Sequence, residues 1–209
     1  MTDGRAARGE RTRGAVLDAA VSMASVDGLE AMSLARLAQA TGVSKSGLFA
    51  HWTDKEALQL AVVAHATRQW TERVVAPALA APGGVRRLWA LHERRLAFYA
   101  DGVLAGGCFW VATEAEFDDR PGPVRDAIAE SLGKWLALIK RIADQAVELG
   151  ELRAGTDTGQ LTFEIEALGV AVVTLVRLIG AGRSTAYART AVLDRLRSLS
   201  PVPDLLPEE

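Results

Sequence analysis

Apolar residues recur at spacings of three and four along nearly the whole of this 209-residue chain. This spacing places them on one face of an α-helix, and the alternating pattern of half-buried β-strands is nearly absent. Hydrophobic residues make up 49% of the chain, which is enough to bury a full core, while the charged fraction of 24% is ordinary. The sequence therefore predicts an all-α protein.

Glycine and capping residues mark the limits of the predicted helices. A first helix should end near Gly28, a short second helix should begin at Ser33, and a third should begin at Ser44. Thr53 and Glu56 form a capping box at the start of a long fourth helix, where the hydroxyl and the carboxylate would satisfy exposed amides. Beyond predicted breaks at Pro77 and 82–84, further helices are expected at 85–100, 107–116, 123–149, 159–179 and 185–199.

Bulk charge gives no argument for nucleic-acid binding, because the net charge is -2 and the isoelectric point is about 6.0. Any DNA affinity must therefore come from a local patch. Residues 1–13 are one candidate, since they hold four arginines against two acidic residues. Such a segment suits either an arm that contacts DNA or a solubilising tail.

The cysteine content and the hydropathy pattern bear on location. One cysteine, Cys108, excludes an intramolecular disulfide and a multi-thiolate zinc site, and it fits a reducing compartment. The N-terminus has no apolar stretch of the signal-peptide type. The longest apolar run, 168–181, is interrupted by Arg177 and is too short to span a bilayer. A cytoplasmic protein with no membrane association is expected.

Residues 33–52 have the spacing of a helix-turn-helix motif. Ala38 is small where two helices must cross, and Gly42 stands where the turn needs a positive φ. In such a motif the second helix lies in the major groove of DNA. The alternative is a generic helical hairpin with solvated lysines. The residues predicted to contact DNA are Ser33, Ser44, Lys45, Ser46, Gly47, Phe49, His51 and Lys55.

The segment GVSKSGLFAHWTDKEAL, residues 42–58, closely resembles the N-terminal signature of the TetR-type (tetracycline-repressor-like) regulators. The shared elements are the Gly-Val-Ser turn at 42–44, the aromatic-x-His-aromatic step at 49–52 and the Lys-Glu-x-Leu helix start at 55–58. The upstream residues 33–38 are similar to the family's second helix. Together with its flanks the resemblance covers about 11–60.

Two further features refine this resemblance. Residues 106–109 and 116–123 look like a stretch found in one branch of the family. Phe49 stands where the family usually has tyrosine, and Trp52 stands where it usually has phenylalanine. Because Phe49 has no hydroxyl to donate to a phosphate, the resemblance implies weaker affinity at that contact without a change in sequence preference.

The resemblance implies a two-part all-α architecture. A three-helix helix-turn-helix DNA-binding domain at 11–53 would be joined to a larger helical ligand-binding and dimerisation domain at 54–200. A flexible basic arm at 1–10 and a flexible tail at 201–209 would flank them. Such a protein is expected to be a homodimeric, sequence-specific transcriptional repressor on a palindromic double-stranded DNA operator. A small-molecule effector would release it, with activation as the alternative to repression, and no cofactor or metal is expected.

The larger domain holds the predicted dimer face and effector pocket. The helix at 159–179 is apolar on most sides, so it and Leu193, Leu196 and Leu199 of the last helix are expected to meet a second subunit. Alternatively, both are plain core helices. Pockets are mostly apolar with a few polar groups. The predicted lining residues, which alternatively just pack in the core, are Trp89, His92, Phe109, Trp110, Trp135, Phe163 and Glu166.

Two other classes of function fit less well. For an enzyme, the three histidines lack metal-ligand spacing, and no glycine-rich phosphate loop precedes a helix. The adjacent acids Asp118 and Asp119 suit a turn better than a catalytic pair. A helical adaptor that binds protein partners is the main alternative. It leaves the residue set at 33–52 unexplained.

Overall fold

The computed structural model describes residues 3–208, and within them it contains helices and no β-strand. The α-helices are, in chain order, α1 (Asp3–Asp27), α2 (Leu34–Thr41), α3 (Lys45–His51), α4 (Lys55–Trp70), α5 (Ala76–Leu79), α6 (Val85–Ala100), α7 (Phe109–Phe117), α8 (Pro123–Glu148), α9 (Thr158–Ile179) and α10 (Ala181–Leu199). A π-helical turn, Thr71–Val75, connects α4 to α5, and a 3-10 turn, Pro203–Leu205, follows α10. The predicted all-α fold is confirmed.

The chain divides into two compact units. The first comprises Met1–Arg68 together with Leu104–Glu130, and the second comprises Gln69–Val103 together with Ser131–Glu209. α7 therefore folds with the N-terminal helices although it follows α6 in sequence, and α8 has residues in both units. The limits expected at residues 10, 53 and 200 divide the chain by function, whereas these two units divide it by compactness. The functional limits therefore stay a prediction.

The core of the first unit forms on the inner face of α1. Its buried positions follow the predicted spacing of three and four and are Val16, Leu17, Ala20, Val21 and Ala24. The other helices of this unit add the buried side chains Leu37, Leu48, Leu58 and Phe109. Helices as short as α2 and α3 are marginal in isolation, so burial against this core is what stabilises them.

The second unit is built on α6, α9, α10 and the later part of α8. Its fully buried aliphatic side chains include Leu88, Leu91, Ile139, Leu161 and Leu196. Two ion pairs connect its helices: Arg189 on α10 meets Glu93 on α6 at 3.0 Å, and Arg195 on α10 meets Glu164 on α9 at 2.6 Å. Both pairs hold α10 in a fixed register, because they lie on either side of its buried face.

The N-terminal segment differs from the flexible arm expected at 1–10. α1 begins at Asp3, so residues 3–10 are helical. Residues 5–8 are alanine and arginine, and both are strong helix formers. The first two residues of the expected arm, Met1 and Thr2, lie outside the described residues.

The C-terminal segment differs as well from the fraying expected at 201–209. Leu206 is only 5% exposed, and the guanidinium of Arg197 donates a hydrogen bond to the carbonyl oxygen of Pro207. An apolar side chain and a charged donor therefore fix this segment on the second unit. Glu209 lies outside the described residues.

The start of α4 is capped by a different residue from the one predicted. The Asp54 carboxylate accepts hydrogen bonds from the N–H of Ala57 at 2.8 Å and from the Thr53 hydroxyl at 3.0 Å. These bonds lower the pKa of Asp54, the Ala57 amide contributing most. The predicted Thr53–Glu56 capping box is therefore wrong, because the helix begins one residue later, at Lys55.

Pro77 does not break the chain as predicted. The N–H of Ala76 donates to the carbonyl oxygen of Thr71, five residues back, which is the hydrogen bond of a π-helical turn. Pro77 then falls in the first turn of α5, where a missing N–H leaves no bond unmade. The helical path ends at Leu79, shortly before the predicted break at 82–84.

Candidate functional site

The helix-turn-helix is formed by α2, a glycine turn and α3. Ser33 caps α2, and its Oγ accepts a hydrogen bond from the N–H of Arg36 at 3.1 Å. The helix ends at Gly42, whose φ of 69° lies in the left-handed region that glycine adopts without strain. Leu37 on α2 and Leu48 on α3 are fully buried. The two short helices are thus anchored by their inner faces.

The first turn of α3 is exposed, in the way the sequence predicts for a recognition helix. Ser44 is the N-cap, and its Oγ accepts a hydrogen bond from the N–H of Gly47 at 3.1 Å and lies 3.0 Å from the Ser46 Oγ. Lys45 and Ser46 are exposed. The Lys45 ammonium makes no ion pair or hydrogen bond within residues 3–208. This edge therefore offers hydroxyl groups and an uncompensated positive charge.

Gly47 has a reason within the protein to be glycine. A Cβ added there would lie 2.9 Å from the Cγ1 of Val43 and 3.3 Å from the Oγ of Ser44. The absence of a side chain therefore lets Val43 lie against the first turn of α3 and leaves the Ser44 cap undisturbed. Its role in admitting the DNA backbone stays a prediction.

The end of α3 presents one aromatic side chain to solvent and buries another. Phe49 is 51% exposed and Trp52 is 6% exposed, while His51 is exposed beside them. The Arg13 guanidinium lies 6.0 Å from the Trp52 ring centroid. The Trp52 Nε1 is buried without a hydrogen-bond partner in the described part of the chain. Trp52 packs in the core of this unit and holds the end of α3 there, whereas Phe49 is exposed and is not part of that core.

Lys55 differs from Lys45 because an acidic residue holds it. Its ammonium donates to the Glu30 carboxylate at 2.6 Å and to the Glu30 carbonyl oxygen at 2.8 Å. The Gln59 amide donates to the other carboxylate oxygen of Glu30 at 3.1 Å. Lys55 and then Gln59 lower the pKa of Glu30 by donating to its charged form. This pairing could not be predicted from local sequence patterns, since 25 residues separate the two partners.

In the second unit, the structure brings two predicted effector residues together around a residue that sequence reasoning missed. The Arg95 guanidinium donates to both carboxylate oxygens of Glu166, at 2.9 and 3.0 Å. The Trp135 Nε1 donates to the same carboxylate at 2.7 Å. The Arg95 Nε donates to the Tyr99 hydroxyl at 2.8 Å. We call Arg95, Tyr99, Trp135 and Glu166 the buried polar cluster.

Arg95 is buried because a glycine makes room for it. Its side chain is 3% exposed, and a Cβ added at Gly169 on α9 would overlap the guanidinium. The Trp135 ring centroid lies 5.6 Å from the guanidinium carbon and 5.2 Å from the Trp70 ring centroid. A charged residue at an inward position of α6, four before Tyr99, was the signal in the sequence that could have revealed it.

Trp89 and His92 form a separate pair in the second unit, with ring centroids 6.1 Å apart. The His92 Nε2 lies 3.3 Å from the carbonyl oxygen of Ala188, and its Nδ1 has no partner among the described residues. Burial lowers the pKa of His92 to about 3, with a further contribution from the charge of Arg95. His92 is therefore neutral in the folded protein at physiological pH.

The remaining predicted effector residues lie elsewhere. Phe109 and Trp110 belong to the first unit, where their ring centroids lie 5.1 Å apart. Phe163 was expected on a core face, but it is 68% exposed. The physical reason is helical phase, because Leu161 and Ile165 point inward and a residue midway between them faces the opposite way.

A cavity of about 380 Å³ also lies in the second unit. Its lining consists of Leu79, Arg87, Leu138, Arg141, Ile142, Asp144, Gln145 and Glu148, none of which was predicted to bind an effector. Across residues 3–208, no three of the histidine, cysteine, aspartate and glutamate side chains are grouped to hold a metal ion. No helix in the same part of the chain is long and apolar enough to cross a membrane.

Two family models match the chain. Residues 16–62 match the model described as bacterial regulatory proteins, tetR family, and residues 84–192 match the tetracyclin repressor-like C-terminal domain. The second match alone spans just over half of the sequence. The chain belongs to the TetR family. The family resemblance noted in the sequence is thus confirmed, and this TetR-family protein is a transcription regulator with a helix-turn-helix DNA-binding domain.

Solved structures show the same fold. A TetR transcriptional regulator from Chloroflexus aurantiacus has a TM-score of 0.84 and 24% identity, covering 92% of this chain and 98% of that chain. A regulator from Cytophaga hutchinsonii has a TM-score of 0.79 and 21% identity, covering 93% and 97%. AibR, solved with isovaleryl coenzyme A and operator DNA, has a TM-score of 0.69 and 20% identity, covering 91% and 98%. Comparison with curated proteins finds no significant match.

Proposed function

We propose that this TetR-family regulator is a homodimeric repressor that binds a palindromic operator and leaves it when a small-molecule effector binds. The exposed first turn of α3 carries the proposal. Ser44, Lys45 and Ser46 point to solvent while Leu48 holds the helix on the core. In this proposal residues 11–53 are the DNA-binding domain and residues 54–200 are the ligand-binding and dimerisation domain.

Each exposed group on α3 has a contact that it can make in a major groove. The Lys45 ammonium can donate to guanine O6 and N7 or to a phosphate, and the serine hydroxyls can donate to either. The Phe49 ring can contact a thymine methyl group, and His51 can reach the backbone at the end of the helix. Ser33 and the Lys55 ammonium are proposed to contact phosphates on the flanks.

An apolar surface on α9 and α10 supports the homodimer. Phe163, Leu178, Ile179 and Tyr187 are between 47% and 76% exposed. Exposed aromatic and aliphatic side chains on adjoining helices suit a four-helix interface about a two-fold axis. Leu193 and Leu196, which were also predicted to meet the partner, are buried inside the protomer and so belong to its own core.

The buried polar cluster is the proposed centre of the effector site. Effector sites are mainly apolar with a few placed polar groups, and Glu166, Trp135 and Arg95 are such groups within an aromatic wall. Trp89 and His92 are the further lining residues proposed in this unit. The expectation that Phe109 and Trp110 bind an effector concerns the first unit alone and stays a prediction. AibR, which shares the fold, was solved with both a coenzyme A thioester and operator DNA, so the fold can hold both kinds of ligand.

Selection of bound fragments from sheared genomic DNA tests this function directly. We expect one palindromic sequence to be enriched. We also expect a compound from a metabolite library to release this DNA from the protein. The salt dependence of binding then gives the number of phosphate contacts. If recovered fragments show no common sequence and bind only weakly at low salt, the repressor proposal fails and the alternative, a helical adaptor that binds protein partners, is favoured.

A further inference from the structure

Glu116 on α7 reaches the loop that joins α1 to α2. Its Oε2 accepts a hydrogen bond from the N–H of Leu29 at 2.6 Å, and its Oε1 accepts one from the N–H of Glu30 at 3.1 Å. Both residues lie in the first unit, although 87 positions separate Glu116 from Leu29. A carboxylate that accepts two backbone amides makes a strong, directional contact.

Glycines at two points allow α7 and the preceding loop to approach this closely. Gly28 has a φ of 85°, and a Cβ added there would lie 2.6 Å from the Glu116 Oε1. Gly106 donates its N–H to the Ser25 Oγ at 3.0 Å, and a Cβ added there would overlap the Ser25 carbonyl group. Gly106 and Glu116, at the two ends of the stretch from 106 to 116, are thus fitted to the end of α1 and the loop that follows it.

The same loop also contacts α4 through hydrogen bonds. The Gln59 amide donates to the Leu29 carbonyl oxygen at 3.3 Å, and Glu30 holds the Lys55 ammonium by its carboxylate and its carbonyl oxygen. Leu29 is fully buried between these contacts. Glu116, the loop and Lys55 therefore form one continuous chain of hydrogen bonds in which each charged group orients the next.

Among residues 3–208, Lys55 keeps one ammonium N–H without a partner. An ammonium has three N–H donors, and Glu30 takes two of them. The Lys55 side chain is 45% exposed, so its third donor is accessible from solvent. Glu30 thus fixes the direction in which Lys55 points without hiding its charge.

We propose that Glu116 is a positioning residue for DNA binding: through the loop at 28–30 and Glu30, it aims the free N–H of Lys55 at a DNA phosphate. α7 thereby controls one backbone contact of the DNA-binding domain, and any movement of α7 that withdraws Glu116 loosens that contact. This inference rests on the proposed function, because it assigns Lys55 to the DNA backbone.

The test compares Glu116→Gln with Asp119→Asn in the full-length protein. Glutamine has the shape of glutamate, but its NH₂ group cannot accept a hydrogen bond from a loop amide. Asp119 is exposed three residues further on, so its change alters net charge equally without touching the loop. Binding is measured by fluorescence anisotropy over a range of salt concentrations, on the duplex obtained by selection and on a scrambled duplex of the same composition.

Glu116→Gln should weaken binding to both duplexes about five- to tenfold, as expected for one charged contact. It should also lower the salt slope by about one, as loss of one phosphate contact does. Lys55→Ala should give the same slope, and the double variant should lower it no further. Faster hydrogen–deuterium exchange of the peptide containing Leu29 and Glu30 should accompany the change, while Asp119→Asn should match the parent in all three measurements.

The salt slope separates positioning from a merely structural role, because partial unfolding reduces the active fraction without removing a phosphate contact. An unchanged slope in Glu116→Gln overturns the inference, whether or not the loop exchanges faster. The scrambled duplex distinguishes failure of this inference from failure of the repressor proposal. If the parent shows no preference for any duplex, the proposed function fails, while the slopes on scrambled DNA still decide the role of Glu116.

Discussion

Replacing His92 by glutamine should flatten the dependence of stability on pH between pH 7 and pH 5. In the folded protein, burial holds the pKa of His92 at about 3, whereas an unfolded histidine titrates near 6.5. Below pH 6.5, this histidine is therefore protonated in the unfolded chain but stays neutral in the folded chain. The contribution of this group to stability is complete above that pH and is lost progressively as the pH falls from 6.5 towards 3.

The size of the effect follows from the gap between the two pKa values. Each unit of pH inside that window costs about 1.4 kcal/mol, so acidification from pH 7 to pH 5 should cost about 2 kcal/mol per protomer through His92 alone. In His92→Gln this term disappears. The glutamine amide can still donate to the carbonyl oxygen of Ala188, so the variant keeps the hydrogen bond that the imidazole makes there.

Urea unfolding followed by tryptophan fluorescence at several pH values measures this difference. The protein concentration must be held constant, because the apparent stability of a dimer depends on it. His51→Gln removes an exposed histidine and is the matched control, whose pH profile should follow the parent. If the parent and His92→Gln lose the same free energy of unfolding between pH 7 and pH 5, His92 accepts a proton in the folded state and the argument from burial is wrong.

Three further predictions concern the other sites. Lys45→Ala should weaken binding to the selected operator by about 1–3 kcal/mol and relax its sequence preference, and unchanged affinity would exclude a direct contact. Glu166→Gln should lower the free energy of unfolding by about 3–5 kcal/mol, because Arg95 would keep its charge in a buried site without a counter-ion; a loss below about 1 kcal/mol in a urea titration would contradict this. Leu178→Glu should convert the dimer to a monomer in sedimentation velocity. Leu149 is also exposed but lies outside α9 and α10, so Leu149→Glu should leave the dimer intact. If Leu178→Glu is still a dimer, this surface is not the dimer interface.

Local chemistry explains why the helix-turn-helix could be predicted from the sequence. Ser33 and Ser44 cap the helices that follow them, and Gly42 supplies the positive φ that ends α2. Each of these roles depends on a few neighbouring residues. The error at Thr53 has the same origin, since Asp54 competes for the same amides and has the stronger acceptor.

Contacts between distant parts of the chain could not be predicted in this way. Arg95 is buried because Gly169 on another helix leaves space for it, and nothing near Arg95 in the sequence shows that space. Glu30 holds Lys55 because the loop brings them together in three dimensions. The aromatic residues were identified by type alone, so Phe163 was placed inside, although its phase on α9 turns it outward.

Because Arg95 fits closely against Gly169, substitutions at these two positions should be coupled during evolution. A lineage that gains any side chain at 169 must lose the guanidinium at 95, and Glu166 would then be left without its counter-ion. The three positions should therefore change as a set among relatives, with a shorter, uncharged residue at 95 accompanying a larger one at 169. Relatives that keep the arginine and the glycine are the ones in which a shared effector chemistry should be sought first.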